Sequence, residues 1–459
     1  MKINQNIFRA YDIRGIASED LSDEFVTALG SALSHKIKKL GLKQVVVGRD
    51  GRLSGERICS ALINSFLDNG INVINLSMVP SPLLYFAVEK LNTKNGVMIT
   101  GSHNPKEYNG FKIILGGKTI FGQEIQDIKN NMLQGTYSKE INKGNLEERE
   151  ILDDYINELR DNISLKRPMK ICLDCGNGVG GVIAPQAFKE IGCEVIELFS
   201  EVDGSFPNHH PDPGNPKNLE DLQSKVKESN ADIGIALDGD ADRVGIVDNS
   251  GKIIYPDIQM ILYAGQVLEK NKNATIIFDV KCSNILKNFI EENSGIAYMS
   301  KTGHSYIKKN LFEKNALLAG EMSGHIFFKD RWFGFDDAIY AGSRMLEILS
   351  EKEKSSSDIF LGLPQNLSTP EINISVSDEN KFSIVSKLIK ILEKENGEIS
   401  SLDGIRIDKD SCWGLIRASN TSPNLVLRFE GNSPQDLDDI KNVFKNAIAK
   451  VDNTIKTNF

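Results

Sequence analysis

Residues 44–55, QVVVGRDGRLSG, join a run of β-branched residues to an acidic, glycine-containing turn, and a helical pattern follows from about Ser54 to Asn69. A second β-branched run, INVINL, begins at Ile71. Strand, turn, helix and strand in this order are typical of the βαβ unit of a parallel sheet. The stretch therefore predicts an α/β module near the start of the chain.

Two further stretches repeat this pattern, MKICLDCGNG at residues 169–178 and ATIIFDVKCS at residues 274–283. The first strands of the three modules are predicted to end near Asp50, Asp174 and Asp279. Open α/β sheets bind ligands beyond the carboxyl ends of their strands. We therefore expect three related α/β modules whose loops after these strands are candidate binding loops.

The pattern changes from about Thr369 to a strand, a helix, several short strands and a final helix from about Ser433. This order predicts a smaller α+β domain. The predicted fold class is α/β, with three related α/β modules plus a C-terminal α+β domain, and we expect clefts between the domains; the resemblance given below implies that these are one central active-site cleft. The predicted domain ranges are 1–148, 149–252, 253–367 and 368–459.

Length, composition and charge narrow the class of protein. At roughly 150 residues per domain, 459 residues allow three or four domains. The net charge of −9 disfavours a general nucleic-acid binder, because phosphate-backbone affinity needs clustered Lys and Arg. No apolar run approaches the roughly 18 residues of a membrane span, and no secretory signal is seen. We expect a cytoplasmic protein with reduced cysteines and no obligate protein partner.

The segment DGDADR, residues 238–243, follows the apolar strand pattern ADIGIAL. Asp238, Asp240 and Asp242 alternate with small residues, so three hard carboxylate oxygens can converge on one small cation, for which magnesium is the best candidate. An EF-hand would need Gly where Arg243 stands and Glu where Asn249 stands. An acidic turn without metal is the other alternative, and repulsion among three like charges disfavours it.

The segment TGSHNP, residues 100–105, directly follows another apolar strand pattern. It presents Ser102 at a strand end as a candidate nucleophile, and His103 and Lys112 can supply positive charge or move a proton. A plain surface turn is the alternative, since Ser, Asn and Pro are ordinary turn residues.

Two further polar segments offer ligand groups. In GEMSGH, residues 320–325, the side chains of Glu321, Ser323 and His325 can bind vicinal hydroxyls of a sugar. In RASNTSP, residues 417–423, an arginine and neutral donors can bind a phosphate, namely Arg417, Ser419, Asn420 and Thr421. Polar turns are the alternative in both cases.

Two glycine-rich segments favour competing functions. GNGVGG, residues 176–181, matches the dinucleotide-binding pattern, with Glu197 about 20 residues further on, and would indicate an NAD(P)-dependent dehydrogenase. That function leaves DGDADR and TGSHNP without a role. GGKT, residues 116–119, resembles the end of a P-loop, but Lys112 stands where the first glycine is required.

Taken together, six motifs resemble the α-D-phosphohexomutases along the whole chain. They are FRAYDIRG at 8–15, TGSHNP with GFK at 110–112, DGDADR, KTGHS at 301–305, GEMSGH and RASNTSP. HHPDPGNP at 209–216 and the run from GEMSGH to residue 342 look most like the bacterial phosphomannomutase/phosphoglucomutase branch. The resemblance implies four domains around one deep cleft, and it gives GNGVGG no cofactor role.

The resemblance also implies a role for each matching residue. Ser102 would be the phosphoserine, and its oxygen would join Asp238, Asp240 and Asp242 in holding Mg²⁺. Four side chains would surround the transferring group, namely Arg14, His103, Lys112 and Arg243.

The remaining implied roles concern the substrate. His304 and Lys281 would contact it or assist proton transfer, and Glu321 and Ser323 would bind O3 and O4 of the sugar, with His325 nearby. The phosphate that is not reacting would be bound by Arg417, Ser419, Asn420 and Thr421.

The implied reaction interconverts hexose 1-phosphate and hexose 6-phosphate, of mannose and/or glucose, through phospho-Ser102 and a 1,6-bisphosphate that also serves as activator. Such transfer depends mainly on positioning and cationic stabilisation. Phosphoglucosamine mutase is the nearest alternative. A catalytically silent sugar-phosphate sensor would keep the binding residues without turnover.

Overall fold

A computed structural model describes residues 4–135, 142–419, 422–457 and 459. Within these ranges the chain forms four sheets, and each sheet belongs to one of four consecutive segments. The first three carry parallel strands with helices between them, and the fourth sheet is antiparallel. The predicted fold class is confirmed.

The first domain has a mixed sheet. Its strands are β1 (Ile13–Ile16), β2 (Gln44–Arg49), β3 (Asn72–Met78), β4 (Gly96–Ile99), β5 (Tyr108–Leu115), β6 (Lys118–Thr119) and β7 (Leu146–Glu148). Its helices are α1 (Asp23–Lys39), α2 (Gly55–Asp68), α3 (Ser81–Lys90) and α4 (Gln123–Gln134). The strand order is β1-β5-β4-β2-β3-β7, with β6 beside β5. The predicted strand and helix of residues 44–55 onward are β2 and α2.

The second domain has a five-stranded sheet of order β12-β11-β10-β8-β9. Its strands are β8 (Met169–Asp174), β9 (Cys193–Leu198), β10 (Ile233–Leu237), β11 (Val244–Asp248) and β12 (Ile253–Ile254). Its helices are α5 (Leu152–Asn162), α6 (Ala184–Glu190) and α7 (Glu220–Ser229). Because β12 pairs with β11, residues just beyond the predicted boundary at 252 join this sheet. The domain boundaries stay predictions.

The third domain has a four-stranded sheet of order β14-β13-β15-β16. Its strands are β13 (Thr275–Asp279), β14 (Ile296–Ser300), β15 (Leu318–Gly320) and β16 (Ile326–Phe328). Its helices are α8 (Pro256–Lys270), α9 (Asn284–Glu292), α10 (His304–Glu313), α11 (Ala338–Ser350) and α12 (Ser356–Leu361). The strands predicted to end near Asp174 and Asp279 end at these residues.

The fourth domain packs two helices on an antiparallel sheet. Its strands are β17 (Leu367–Ser368), β18 (Ile372–Ser375), β19 (Glu398–Ser400), β20 (Ile405–Asp408), β21 (Cys412–Ala418) and β22 (Asn424–Gly431). Its helices are α13 (Lys381–Leu392) and α14 (Pro434–Val451). The final helix begins one residue after the predicted Ser433, whose side chain accepts a hydrogen bond from Asp436 N as N-cap.

The apolar core explains how the domains are held together. One continuous cluster of buried side chains contains α3 of the first domain and much of the second and third domains. The fourth domain has its own cluster, centred on Leu388, Phe429 and Phe444. The first three domains thus share a packed interior, whereas the fourth joins the third through hydrogen bonds and a small apolar cluster of Val280, Trp413 and Leu415.

Two features of the structure concern membrane-spanning helices and the state of the cysteines. Among the described residues, no helix combines the length and apolar character needed to cross a bilayer. All six cysteines are free thiols, and burial raises the pKa of Cys175 to about 12. Cys172 lies in β8 and Cys175 just after it, and burial raises the pKa of both, so neither thiol is activated as a thiolate.

The glycines of GNGVGG let segments of the chain approach one another. A Cβ on Gly181 would lie 1.9 Å from the carbonyl oxygen of Ser200, and one on Gly178 would lie 2.9 Å from that of Gly239. These distances are far inside van der Waals contact, so the glycines have a packing role.

We predict that Gly181→Ala lowers the free energy of unfolding by about 1–3 kcal/mol, because a backbone carbonyl has little freedom to move away from the added methyl. The midpoint of thermal unfolding, measured by circular dichroism, checks this. Gly265→Ala in α8 is the control, since its Cβ would have ordinary contacts and alanine favours a helix. Equal midpoints for Gly181→Ala and wild type would contradict the packing role.

Candidate active site

A cavity of about 660 Å³ opens where loops of all four domains meet. It brings together twelve of the predicted side chains, namely Arg14, Ser102, His103, Lys112, Arg243, Lys281, His304, Glu321, Ser323, His325, Arg417 and Ser419. Asp238, Asp240 and Asp242 lie directly behind Ser102 and are fully buried. Asn420 and Thr421 lie outside the described residues.

Ser102 lies on the loop that follows β4, within hydrogen-bond distance of the acidic segment. Its Oγ donates to Asp238 Oδ2 at 2.9 Å and lies 3.1 Å from His103 Nδ1. The residue is 2% exposed. A hydroxyl from the first domain and a carboxylate from the second, 136 residues apart, thus share one pocket.

Gly239 makes this closeness possible. A Cβ at this position would lie 2.4 Å from the carbonyl oxygen of Ser102. The backbones of the serine loop and the DGDADR loop are therefore in direct contact, which a larger side chain would prevent.

The three aspartates form a group that can hold a metal ion. One carboxylate oxygen from each lies within 4.8 Å of the others. Asp240 Oδ1 and Asp242 Oδ1 are buried without a hydrogen-bond partner. Lys112 Nζ donates to Asp240 Oδ2 at 2.5 Å and also to Asp242. Buried carboxylate oxygens that lack donors fit a hard divalent cation.

The pKa values of the aspartates reflect their crowding. Burial, together with the charges of Asp240 and Asp242, raises the pKa of Asp238 well above its usual value. Burial also opposes ionisation of Asp240, but Lys112 and a hydrogen bond from Ser81 lower the pKa of that carboxyl. Lys112 alone thus leaves excess negative charge in the group, and a cation would neutralise it.

Positive and neutral groups surround Ser102 on the cavity side. Arg14 forms an ion pair with Asp12 at 2.6 Å and donates to Asn104, and Arg243 Nε donates to His325 Nε2 at 2.9 Å. Burial and the charges of Arg243 and Arg14 lower the pKa of His103. A neutral imidazole therefore lies beside the serine hydroxyl.

A second buried cluster links two histidines. Asp336 Oδ2 lies 3.1 Å from His325 Nδ1 and 3.6 Å from His304 Nδ1. Asp336, His325 and Asp242 form another group with metal-ligand spacing. However, Lys308 Nζ lies 2.8 Å from Asp336 Oδ1 and already neutralises that carboxylate. The three aspartates of DGDADR are therefore the better candidate metal centre.

Glu321 and Ser323, which the sequence predicts as sugar-binding residues, line the cavity on the loop after β15 of the third domain. Glu321 is 1% exposed and its Oε1 accepts a hydrogen bond from Gly303 N at 2.5 Å. Burial raises the pKa of Glu321. This carboxyl is in position to bind hydroxyl groups of a ligand.

Two cationic side chains of the cavity are each paired with a carboxylate. Lys281 Nζ lies 2.9 Å from Glu371 Oε2, and Arg417 Nε donates to Asp403 Oδ2 at 2.9 Å. Asp403 also accepts a hydrogen bond from Thr302 N of the third domain at 3.1 Å. An anion bound here would meet an arginine and a lysine already held in place by carboxylates.

Sequence reasoning missed several residues of the site. Tyr11 lines the cavity inside the quoted FRAYDIRG motif, and Asp336 lies in the quoted run after GEMSGH. Arg52, which follows the first strand of the first βαβ unit, was missed as well. Nothing in the sequence pattern indicated Glu371 or Asp403, because their role depends on the packing of the fourth domain against the third.

This arrangement defines a class of enzyme. A buried serine, a metal-binding group of carboxylates and a rim of cations around a polar cavity can move an anionic group between the serine and a polar ligand.

Comparisons with known proteins identify the family. Four consecutive segments match phosphoglucomutase/phosphomannomutase alpha/beta/alpha domains I, II and III and the C-terminal domain, over residues 5–139, 153–251, 255–367 and 371–447. The chain belongs to the phosphoglucomutase/phosphomannomutase family. The predicted resemblance is confirmed.

Individual relatives match along the whole chain. A phosphomannomutase/phosphoglucomutase of Pseudomonas aeruginosa is 50% identical over 454 residues, 99% of this chain and 98% of its own. A phosphoglucomutase of Neisseria meningitidis serogroup A is 48% identical over 455 residues, 99% of each chain. The crystal structure of a phosphoglucomutase/phosphomannomutase family protein from Burkholderia thailandensis superposes with a TM-score of 0.93, at 42% identity and over 100% of both chains.

We predict that Asp240→Asn weakens binding of Mn²⁺ by about 10- to 100-fold, because it removes one charge from the candidate metal centre. Electron paramagnetic resonance of free Mn²⁺ during a titration measures this. Asp337→Asn is the matched control, since Asp337 is equally buried but its carboxylate accepts from Tyr155 and Trp332. Equal affinities of Asp240→Asn and wild type would refute the assignment.

Proposed function

We propose that this protein is a phosphohexomutase that interconverts hexose 1-phosphate and hexose 6-phosphate, with Ser102 as the phosphoryl carrier. The observation that carries the proposal is the 2.9 Å hydrogen bond from Ser102 Oγ to Asp238 Oδ2. It connects a candidate nucleophile to a group of carboxylates that fits a divalent cation. Full-length identity of 48–50% to relatives named for mannose and glucose phosphates supports the same activity.

Asp238, Asp240 and Asp242, with an oxygen of phosphorylated Ser102, would hold the cation, and Mg²⁺ suits such hard oxygen ligands. When bound, it would stabilise negative charge on the transferring phosphoryl group. Lys112 adds positive charge from the same side. Its contacts with Asp240 and Asp242 keep it beside the carboxylates.

In the first half-reaction a sugar hydroxyl attacks the phosphorus of phospho-Ser102. The new sugar O–P bond forms, the serine O–P bond breaks, and the hydroxyl proton passes to a base at the cavity wall. His304 is our candidate for that base, because it lines the cavity and its lowered pKa, caused by burial, leaves the ring neutral and able to accept a proton. The leaving Ser102 oxygen takes up a proton, for which Lys112, in the same cavity, is our candidate donor. Arg14 and Arg243 stabilise the charge on the phosphoryl oxygens.

In the second half-reaction the 1,6-bisphosphate has turned over in the cavity, and the Ser102 oxygen attacks the phosphorus of its other phosphate. The serine O–P bond forms again, the sugar O–P bond breaks, the serine proton returns to Lys112, and the sugar oxygen takes up the proton held by the base. Arg417 and Ser419 then bind the phosphate that the sugar received from Ser102. In the first half-reaction they bound the phosphate that the substrate already carried.

Glu321 and Ser323 can bind O3 and O4 in either orientation of the ring. Mannose and glucose differ only in the configuration at C2. Because none of these side chains binds the hydroxyl at C2, both sugars are suitable substrates. We infer that a free hexose 1,6-bisphosphate would activate the enzyme by phosphorylating Ser102.

We place this reaction in the cytoplasm, and the independence from an obligate protein partner remains a prediction.

Ser102→Ala is expected to lower kcat by at least about 10³-fold, because it removes the atom that carries the phosphoryl group. A coupled assay with glucose 1-phosphate, Mg²⁺ and glucose 1,6-bisphosphate measures this, and intact-mass spectrometry follows loss of the phosphoserine. Ser343→Ala is the control, since the buried Ser343 Oγ only donates to Ile339 O within α11. EDTA should stop wild-type turnover. An active Ser102→Ala enzyme would exclude the proposed carrier.

For substrate choice, we expect kcat/KM for glucosamine 1-phosphate to be lower than for glucose and mannose 1-phosphates. The ammonium group of glucosamine would add positive charge to a cavity already lined by cationic side chains, namely Arg14, Lys112, Arg243, Lys281 and Arg417. The same coupled assay across the three sugars decides this. A preference for glucosamine 1-phosphate would favour the phosphoglucosamine mutase alternative.

A further inference from the structure

Arg52 lies directly beneath the loop that carries Ser102. It follows β2 by three residues, and its side chain is fully buried. The guanidinium donates to four backbone carbonyls of the serine loop, those of Ser102 at 2.7 Å, Asn104 at 2.6 Å, Pro105 at 2.6 Å and Tyr108 at 3.0 Å.

The fifth donor of Arg52 is also used. Its Nε donates to Asp50 Oδ2 at 3.2 Å, so all five N–H groups have acceptors. Asp50 in turn accepts from Thr100 Oγ1 at 2.8 Å and from Gly101 N at 3.1 Å, which are the residues that lead into Ser102. The Asp50–Arg52 pair therefore contacts the serine loop along its whole inner side.

Gly101 gives a second, independent indication of this contact. A Cβ at this position would lie 2.4 Å from Arg52 Cζ. Gly101 has no positive φ that would by itself demand glycine. The glycine of TGSHNP is therefore needed to admit the guanidinium.

Ser102 itself has a backbone conformation that must be held. Its φ is 48°, in the left-handed region that a residue with a Cβ adopts at a cost of about 1–2 kcal/mol. Without restraint the loop would relax toward an ordinary φ and carry the Oγ away from Asp238. The hydrogen bond from Arg52 to the carbonyl of Ser102 acts on this residue directly.

We propose that Arg52 is a positioning residue that fixes the serine loop so that the oxygen of Ser102 faces the candidate metal centre. The proposal rests on the proposed function. Arg52 does not line the cavity, and Asp50 balances its charge, so its effect on the reaction is geometric. A misplaced reacting atom costs rate far more than it costs substrate binding.

The test is Arg52→Lys in the full chain, assayed with glucose 1-phosphate, Mg²⁺ and saturating glucose 1,6-bisphosphate. Lysine keeps the positive charge, but its single ammonium has three donors and cannot reproduce the planar fork. We expect kcat to fall about 10²-fold while KM stays near the wild-type value. Circular dichroism at the assay temperature confirms that the variant is folded.

Arg344→Lys is the matched control. Arg344 is equally buried and donates to Asp330, Gln266 and Tyr340, none of which lines the cavity. This variant should unfold at a lower temperature and keep the wild-type kcat. The comparison separates loss of stability from loss of positioning.

Gly101→Ala is the second variant, used if Arg52→Lys does not fold. The added methyl pushes on the guanidinium and should reproduce the loss of kcat with KM unchanged. A folded variant of either kind with wild-type kcat, or with a changed KM and an unchanged kcat, would overturn the inference.

The outcomes also separate this inference from the proposed function. An inactive wild type would overturn both. An active wild type with an equally active Arg52→Lys would overturn this inference alone.

Discussion

The hydrogen bond between Ser102 and Asp238 constrains the architecture around it. It requires that a loop of the first domain and a loop of the second lie backbone against backbone, which Gly239 allows. Other contacts cross the same boundary, since Lys112 donates to Asp240 and Ser81 N donates to the carbonyl of Asp240 at 3.0 Å. Three buried carboxylates repel one another, so this meeting point is stable only with positive charge beside it.

The two ends of the cavity are built by different forces. The serine and the three aspartates sit above a continuous apolar core that joins the first three domains, so their geometry is fixed by close packing. The end with Lys281 and Arg417 joins the third and fourth domains through polar contacts and a small apolar cluster of Val280, Trp413 and Leu415. Arg406 donates to the carbonyls of Val280 and Cys282, on either side of Lys281, and Thr302 N donates to Asp403. Apolar packing therefore dominates at the end with Ser102, whereas hydrogen bonds and one small apolar cluster hold the other end.

Much of the fold follows from local patterns. The βαβ units around β2, β8 and β13 were predictable because β-branched runs, acidic turns and helical periodicity are encoded within about 30 residues. The short strands β6, β12 and β17 were not predictable, since two-residue strands exist only through their neighbours. The sequence motifs indicated the candidate site residues. However, the sequence alone was also consistent with each motif being an ordinary polar turn. Only their convergence in one cavity distinguishes these alternatives.

The sequence by itself determined the chemistry that is available: three carboxylates in alternation, a serine at a strand end, an arginine among small donors, and the family to which the chain belongs. The tertiary structure decided which of these groups meet. It placed Ser102 beside Asp238, Asp336 between two histidines and Arg52 beneath the serine loop. The physical reason is that spacing along a chain reports local conformation, whereas contacts between residues more than a hundred positions apart depend on how whole domains pack.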